Sequence, residues 1–170
     1  MTTSNLIRWS GPAAILGGLL FIVGSLLIPD ASPLVAWVQP TRTLAILFAL
    51  IGLYAFQVEE SGLWGFLGFV AAFIGNVLEM AGETPLSASM YAGGLILLAI
   101  GFRIANKLPR WVPVLWILAP LIGMPGFLLA SLSDLLFTGA GIVLGVSFIG
   151  AGYTLWSSAG KPAGQSRAAA

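Results

Sequence analysis

The sequence predicts an all-α polytopic membrane protein, a bundle of six transmembrane helices arranged as three consecutive helical hairpins. Three observations carry that prediction. First, 58% of the 170 residues are hydrophobic and only 8% charged, with a mean hydropathy of +1.00. Soluble domains carry roughly a quarter charged residues, and a chain this apolar has too little polar surface to face water. Second, the apolar residues fall in long unbroken runs, whereas a membrane barrel alternates polarity over short segments. Third, the few charges lie between the runs, and their signs are sorted.

The first span is expected over about Pro12 to Ile28, after Arg8-Trp9, and Pro29, Asp30 and Pro33 end it. Arg8 before an apolar run also resembles a signal peptide, but the run is long and no convincing small-residue cleavage site follows, so an uncleaved span is expected. Leu34 to Val38 is too short to cross and should lie at the interface. Span two runs from about Thr43 to Val58, between Arg42 and Glu59-Glu60. Ser61-Gly62 turns the chain into span three, which ends at Gly82-Glu83-Thr84-Pro85, where proline cannot continue a helix. Span four covers about Ser87 to Ile104, span five Trp111 to Ala130, and span six Leu135 to Trp156. Residues 1–156 thus form the bundle, and the Ala-, Gly- and Ser-rich tail 157–170 is expected to be disordered.

Charge orients this arrangement. With the N-terminus in the cytoplasm, Arg8, Arg103, Lys107, Arg110, Lys161 and Arg167 fall on the cytoplasmic side and Arg42 alone outside. The positive-inside rule therefore favours an even number of crossings with both termini cytoplasmic, in a plasma membrane. A repeat supports the hairpins. Ile51-Gly52, Ile100-Gly101 and Ile149-Gly150 recur every 49 residues near the cytoplasmic ends of the even spans. Trp9, Trp64 and Trp111 stand at the entrances of the odd ones. Interfacial tryptophan and membrane glycine are common, so the repeat is an expectation from spacing alone.

Composition also excludes chemistries. Without Cys there is no disulfide, thiol or cysteine-ligated cluster; without His there is no imidazole ligand or base. No metal spacing, phosphate loop or nucleophile elbow is present, and no cofactor is expected. The scattered basic residues make no nucleic-acid footprint.

The polar residues inside the spans are the candidate site. In span three, Gly68, Ala72, Gly75, Asn76, Glu79 and Glu83 share one helical face, at steps of three and four. Phe66, Val70, Phe73 and Val77 share the other. A lipid-facing Glu is costly, so the polar stripe should face the bundle. Asn76 and Glu79 then either line a pocket open to the outer side or make a packing contact, with Glu79 protonated, snorkelling or paired with Arg42. Span five holds Pro120 and Pro125, with Gly123 and Gly126 around the second. A kink or broken turn is expected at about the depth of Glu79, where irregular backbone is tolerated only inside protein or beside a wet cavity. Asp134 either pairs with Glu79 or caps span six. The Gln57, Glu59 and Glu60 group reads as a solvated turn. Tyr54, Tyr153, Trp64, Trp111 and Trp156 read as an aromatic belt at the inner surface. Small residues at steps of three and four in several spans, such as Gly65 and Gly68, predict close helix packing and self-association.

Arg8-Trp9-Ser10-Gly11 with Ala13-Ala14 and Gly17-Gly18, then Gly52-Leu53-Tyr54 with Gln57, Gly62, Gly65 and Gly68, resembles a recurrent group of small bacterial multi-pass membrane proteins. The likeness covers about the first half of the chain and omits the last two spans. It implies a bacterial plasma-membrane protein and no catalytic residues. The leading functional expectation is an integral membrane protein without catalytic chemistry of its own. It would bind a lipid or other hydrophobic molecule, or sit beside a partner membrane protein. One rival is a proton- or cation-coupled transporter using Asn76 and Glu79 opposite a broken span five. The other is a membrane enzyme acting on an isoprenoid or lipid through Glu79 and Asp134.

Overall fold

The structure is a computed structural model and describes residues 3–27, 32–82 and 84–159. Within them every element is helical. The order is α1 (Thr3–Leu27), α2 (Val35–Ala81), α3 (Pro85–Ala105), α4 (Trp111–Gly123), two 3-10 turns (Met124–Phe127 and Ala130–Leu132) and α5 (Ser133–Ala159). Four of these helical stretches are long and apolar enough to cross a membrane, as a membrane helical bundle requires.

Five α-helices are present where six were expected, because α2 carries both the second and the third expected span. The two limbs of α2 nevertheless fold back on each other. Gly62 lies between them with φ 57° and ψ −155°, a conformation essentially reserved for glycine. Tyr54 stacks on Phe69 at 4.7 Å between ring centroids, and Arg42 lies 3.9 Å from Glu79. On a straight helix the second pair would be about 55 Å apart at 1.5 Å per residue. The turn expected at Ser61-Gly62 is thus where the chain reverses, with less loss of helical pattern than its composition suggested.

Other boundaries move too. The α1 helix begins at Thr3 and carries Pro12 inside it. Leu34 to Val38 is not a separate interfacial piece: α2 starts at Val35 and continues through Pro40, with Trp37 exposed. The start of α3 is held by a capping box, in which the Ser87 N–H donates to Thr84 Oγ1 at 3.1 Å and the Thr84 N–H donates to Ser87 Oγ at 2.9 Å. The expected break in span five is real: α4 ends at Gly123 and the chain tightens into a 3-10 turn containing Pro125. Pro120, by contrast, stays within α4. At the other end, α5 continues past Trp156 to Ala159. Residues 160–170, with Lys161 and Arg167, lie outside the described residues, as do Asp30 and Glu83.

Glycine decides which helices touch. A β-carbon at Gly68 would meet the backbone of Leu97 and Leu98, one at Gly75 the backbone of Tyr91, and one at Gly94 that of Ala72. The same closeness joins α1 to α5: Gly11 faces the Gly152 carbonyl, and Gly18 faces that of Gly145. On each helix the paired glycines are seven residues apart (11 and 18, 68 and 75, 94 and 101, 145 and 152). Seven residues is two turns, so they form a continuous seam on which antiparallel backbones can lie close. The glycines of the 49-residue repeat have a parallel role. Gly52 packs on Ser10, Gly101 on Gly65 and Gly150 on the Trp111 ring, each at the start of the preceding limb.

Large side chains fill the centre. Phe102 of α3, Trp116 of α4, Phe148 of α5 and Phe21 of α1 form a chain of ring contacts at 5.4, 5.6 and 6.3 Å. Phe102, Trp116 and Phe148 are fully buried. Phe66 and Val77 of the greasy face of span three are exposed, as a lipid-facing surface requires, while Gly68, Ala72, Gly75 and Asn76 are buried.

Candidate functional site: a charged cleft at the Arg42 end

The bundle has two chemically distinct ends. At one, Lys107 pairs with Glu60 at 2.6 Å and its Nζ donates to the Phe56 carbonyl at 3.3 Å. This ties the basic loop after α3 to the bend of α2. Ser10 and Gly11, just after Arg8, pack at that same end against Gly52 and Gly152. Gln57 and Ser61 sit within it and are fully buried, which corrects the reading of Gln57 as part of a solvated turn. The reversal at Gly62 folds them inward, while Glu59 and Glu60 stay exposed. Tyr54 also leaves the expected aromatic belt to stack on Phe69, whereas Trp64, Trp111, Tyr153 and Trp156 remain exposed.

The opposite end holds the cleft. It has a volume of about 680 Å³ and is open at its mouth, with walls drawn from α1, both ends of α2, α3, the first 3-10 turn and α5. Glu79 reaches it from the last turns of α2, Arg42 from the first limb, and Asp134 from the first turn of α5. A smaller recess of about 80 Å³ adjoins it, between Pro40, Thr43, Glu79 and Met80. Glu79 and Arg42 are only 14% and 22% exposed, so the acid of span three faces protein, as its helical stripe predicts. The Arg42 guanidinium also lies 4.5 Å above the Phe21 ring, within cation–π range. That contact places the charged pair directly on the outer end of the aromatic chain that fills the core.

Two further features belong to the cleft. Tyr91 of α3 is 5% exposed, lines the cleft, and its hydroxyl has no hydrogen-bond partner among the described residues. Phe127 and Phe137 meet edge to face at 5.0 Å and form an aromatic wall. Phe127 is carried by the 3-10 turn, so the break in span five supplies the cleft with a side chain, not with open backbone.

The structure brings together some of the residues singled out in the sequence and leaves others aside. Glu79 and Asp134 line the same cleft. Asp134 lies in the first turn of α5, where its charge suits the helix N-terminus, and Ser133 Oγ donates to it at 3.3 Å. Asn76 is buried one turn below Glu79, behind the lining, with its side-chain nitrogen unpartnered among the described residues. Pro120, Gly123 and Pro125 shape α4 and its end without lining the cleft; Gly123 permits contact with Ala140 of α5. Tyr91, Phe21, Gln39 and Thr138 were not singled out. Thr138 is a lone polar residue in an apolar run and Tyr91 follows Ser87 and Ser89 at the start of another, and neither makes a pattern that marks a site.

Fold and site together define an all-helical membrane bundle with a charged, aromatic-walled cleft at one end. No protein family, curated protein or solved structure matches the chain. Among the described residues no group of three or more acidic, His or Cys side chains could hold a metal ion.

Proposed function

We propose that the protein is an integral plasma-membrane protein that binds an amphiphilic lipid in this cleft. The observation that carries the reading is the pairing of opposites in one space: Arg42, Glu79 and Asp134 beside Phe21, Phe127 and Phe137. A ligand with a polar head and an apolar body satisfies both surfaces, and binding sites generally combine apolar walls with a few placed polar groups.

The two limbs of α2 and the α4 segment complete six crossings arranged as three hairpins. The 13 residues of α4 and the four of its 3-10 turn reach about 28 Å, close to the hydrocarbon thickness. Arg8, Arg103, Lys107 and Arg110 gather at one end and Arg42 at the other, which supports a cytoplasmic basic end and an outward cleft. A reporter fused after Ala170 is expected on the cytoplasmic side.

The direct test is to purify the protein in mild detergent and quantify retained lipid by mass spectrometry. About one lipid per chain is expected. Gly24 lines the cleft, and a β-carbon there meets only Val38 Cγ1, at 3.9 Å. A side chain at this position therefore starts into open space, and Gly24→Trp takes up part of the cleft and should lower retention severalfold. Equal retention by the variant would remove the proposal.

A second reading, cation- or proton-coupled transport, is favoured by Glu79 and Asp134 lining one open cleft together with Phe127 of the 3-10 turn that follows α4. It requires Glu79→Gln to abolish uptake in vesicles, and an unchanged flux would end it.

A further inference from the structure

We infer that the cleft is selective for a phospholipid whose headgroup carries a primary amine, an inference that rests on the lipid-binding reading above. The charges on its walls are one guanidinium and two carboxylates: Arg42, Glu79 and Asp134. Two carboxylates against one cation make the lining net negative, which disfavours a purely anionic headgroup. A purely cationic ligand would leave the guanidinium without a second anion. A zwitterion with a phosphate a few ångströms from an ammonium matches both signs.

The geometry assigns the two halves. Arg42 has five N–H donors, and its pairing with Glu79 at 3.9 Å is longer than a hydrogen bond, so donors remain for a phosphate oxygen. The buried Tyr91 hydroxyl, unpartnered among the described residues and lining the same cleft, supplies a second donor. Asp134, which lines the same cleft from the first turn of α5, is exposed and accepts from an ammonium. A primary ammonium offers three N–H donors to that carboxylate and a quaternary one offers none, so the site distinguishes ethanolamine from choline headgroups. Phe127 and Phe137 flank the start of the acyl chains.

The test uses the full chain in nanodiscs containing equal parts phosphatidylethanolamine, phosphatidylcholine and phosphatidylglycerol, with lipid retained after detergent extraction read by mass spectrometry. Phosphatidylethanolamine should be enriched roughly tenfold over the other two, the effect of one charge-assisted hydrogen bond. Asp134→Asn should keep bound lipid but lose that enrichment, and Arg42→Gln should reduce retention of all three lipids. Asp134 is exposed, so its variant retains the fold, and circular dichroism checks this directly. Lipid retained in the proportions of the nanodisc overturns the selectivity while leaving the lipid-binding reading intact. Enrichment that survives Asp134→Asn overturns the assignment of the amine. Soluble phosphoethanolamine binding as tightly as the lipid overturns the lipid as occupant, and retention of no lipid at all overturns both readings.

Discussion

Gly93 and Gly94 are neighbours on α3 and are chemically identical, yet alanine should affect them in opposite ways. A β-carbon at Gly93 meets nothing within 4 Å; one at Gly94 overlaps the backbone of Ala72 and comes 2.7 Å from the Ala71 carbonyl carbon. Neither neighbour is a flexible side-chain end, so α3 and the second limb of α2 must part by roughly 1 Å, a gap that forfeits about a quarter to a half of each contact's attraction. With on the order of 30 atom pairs along a two-turn seam at about 0.15 kcal/mol each, the loss is about 2 kcal/mol. This falls within the usual cost of overpacking, about 1–3 kcal/mol. Both substitutions gain the same helix propensity, about 0.5–1 kcal/mol in water, so their difference isolates the seam. Lipid matters here as well. Between membrane helices there is no hydrophobic driving force to make up for lost packing, so close backbone approach carries a large share of the association. The assay is reversible unfolding in mixed micelles with increasing dodecyl sulfate, followed by circular dichroism. Gly94→Ala should unfold at a lower sulfate fraction than wild type, and Gly93→Ala at the same fraction or a higher one. Coincident midpoints for the two variants would refute the claim that the glycine seam holds α2 to α3.

Gly62 has φ 57° and ψ −155° with open space around it, so Gly62→Ala carries only a backbone penalty, about 1–3 kcal/mol, measurable in the same titration. Trp116→Ala empties the centre of the aromatic chain and should cost about 3 kcal/mol, again read as a lowered unfolding midpoint. Lys107→Ala removes a pair whose side chains are 36% and 41% exposed, so it should change stability by no more than about 1 kcal/mol, less still at high salt.

Membrane as the solvent, the helical class, the positions of the chain reversals and the inward direction of Glu79 were all legible before any fold was known. Each of these follows from local physics. Apolar run length sets crossing segments, Gly62 and Pro85 set the turns, and the 3.6-residue period puts Gly68, Gly75 and Glu79 on one stripe. Tertiary structure alone decided which stripes meet. Any two small-residue faces fit one another about equally well in sequence. Only the fold shows Gly11 and Gly18 of α1 on Gly152 and Gly145 of α5, at opposite ends of the chain. That closure carries Asp134 to the cleft of Arg42 and Glu79, across a separation that no periodicity encodes. The same reason hid the part of Tyr91 in the cleft and the burial of Gln57, which beside Glu59 and Glu60 reads as solvated. The surroundings of both are supplied by helices distant in sequence. Pro125 illustrates the reverse case. Its backbone effect is local and was legible, whereas Pro120 stays within α4, and whether a break lines a cavity depends on the neighbouring helix; here it is Phe127 that enters the cleft.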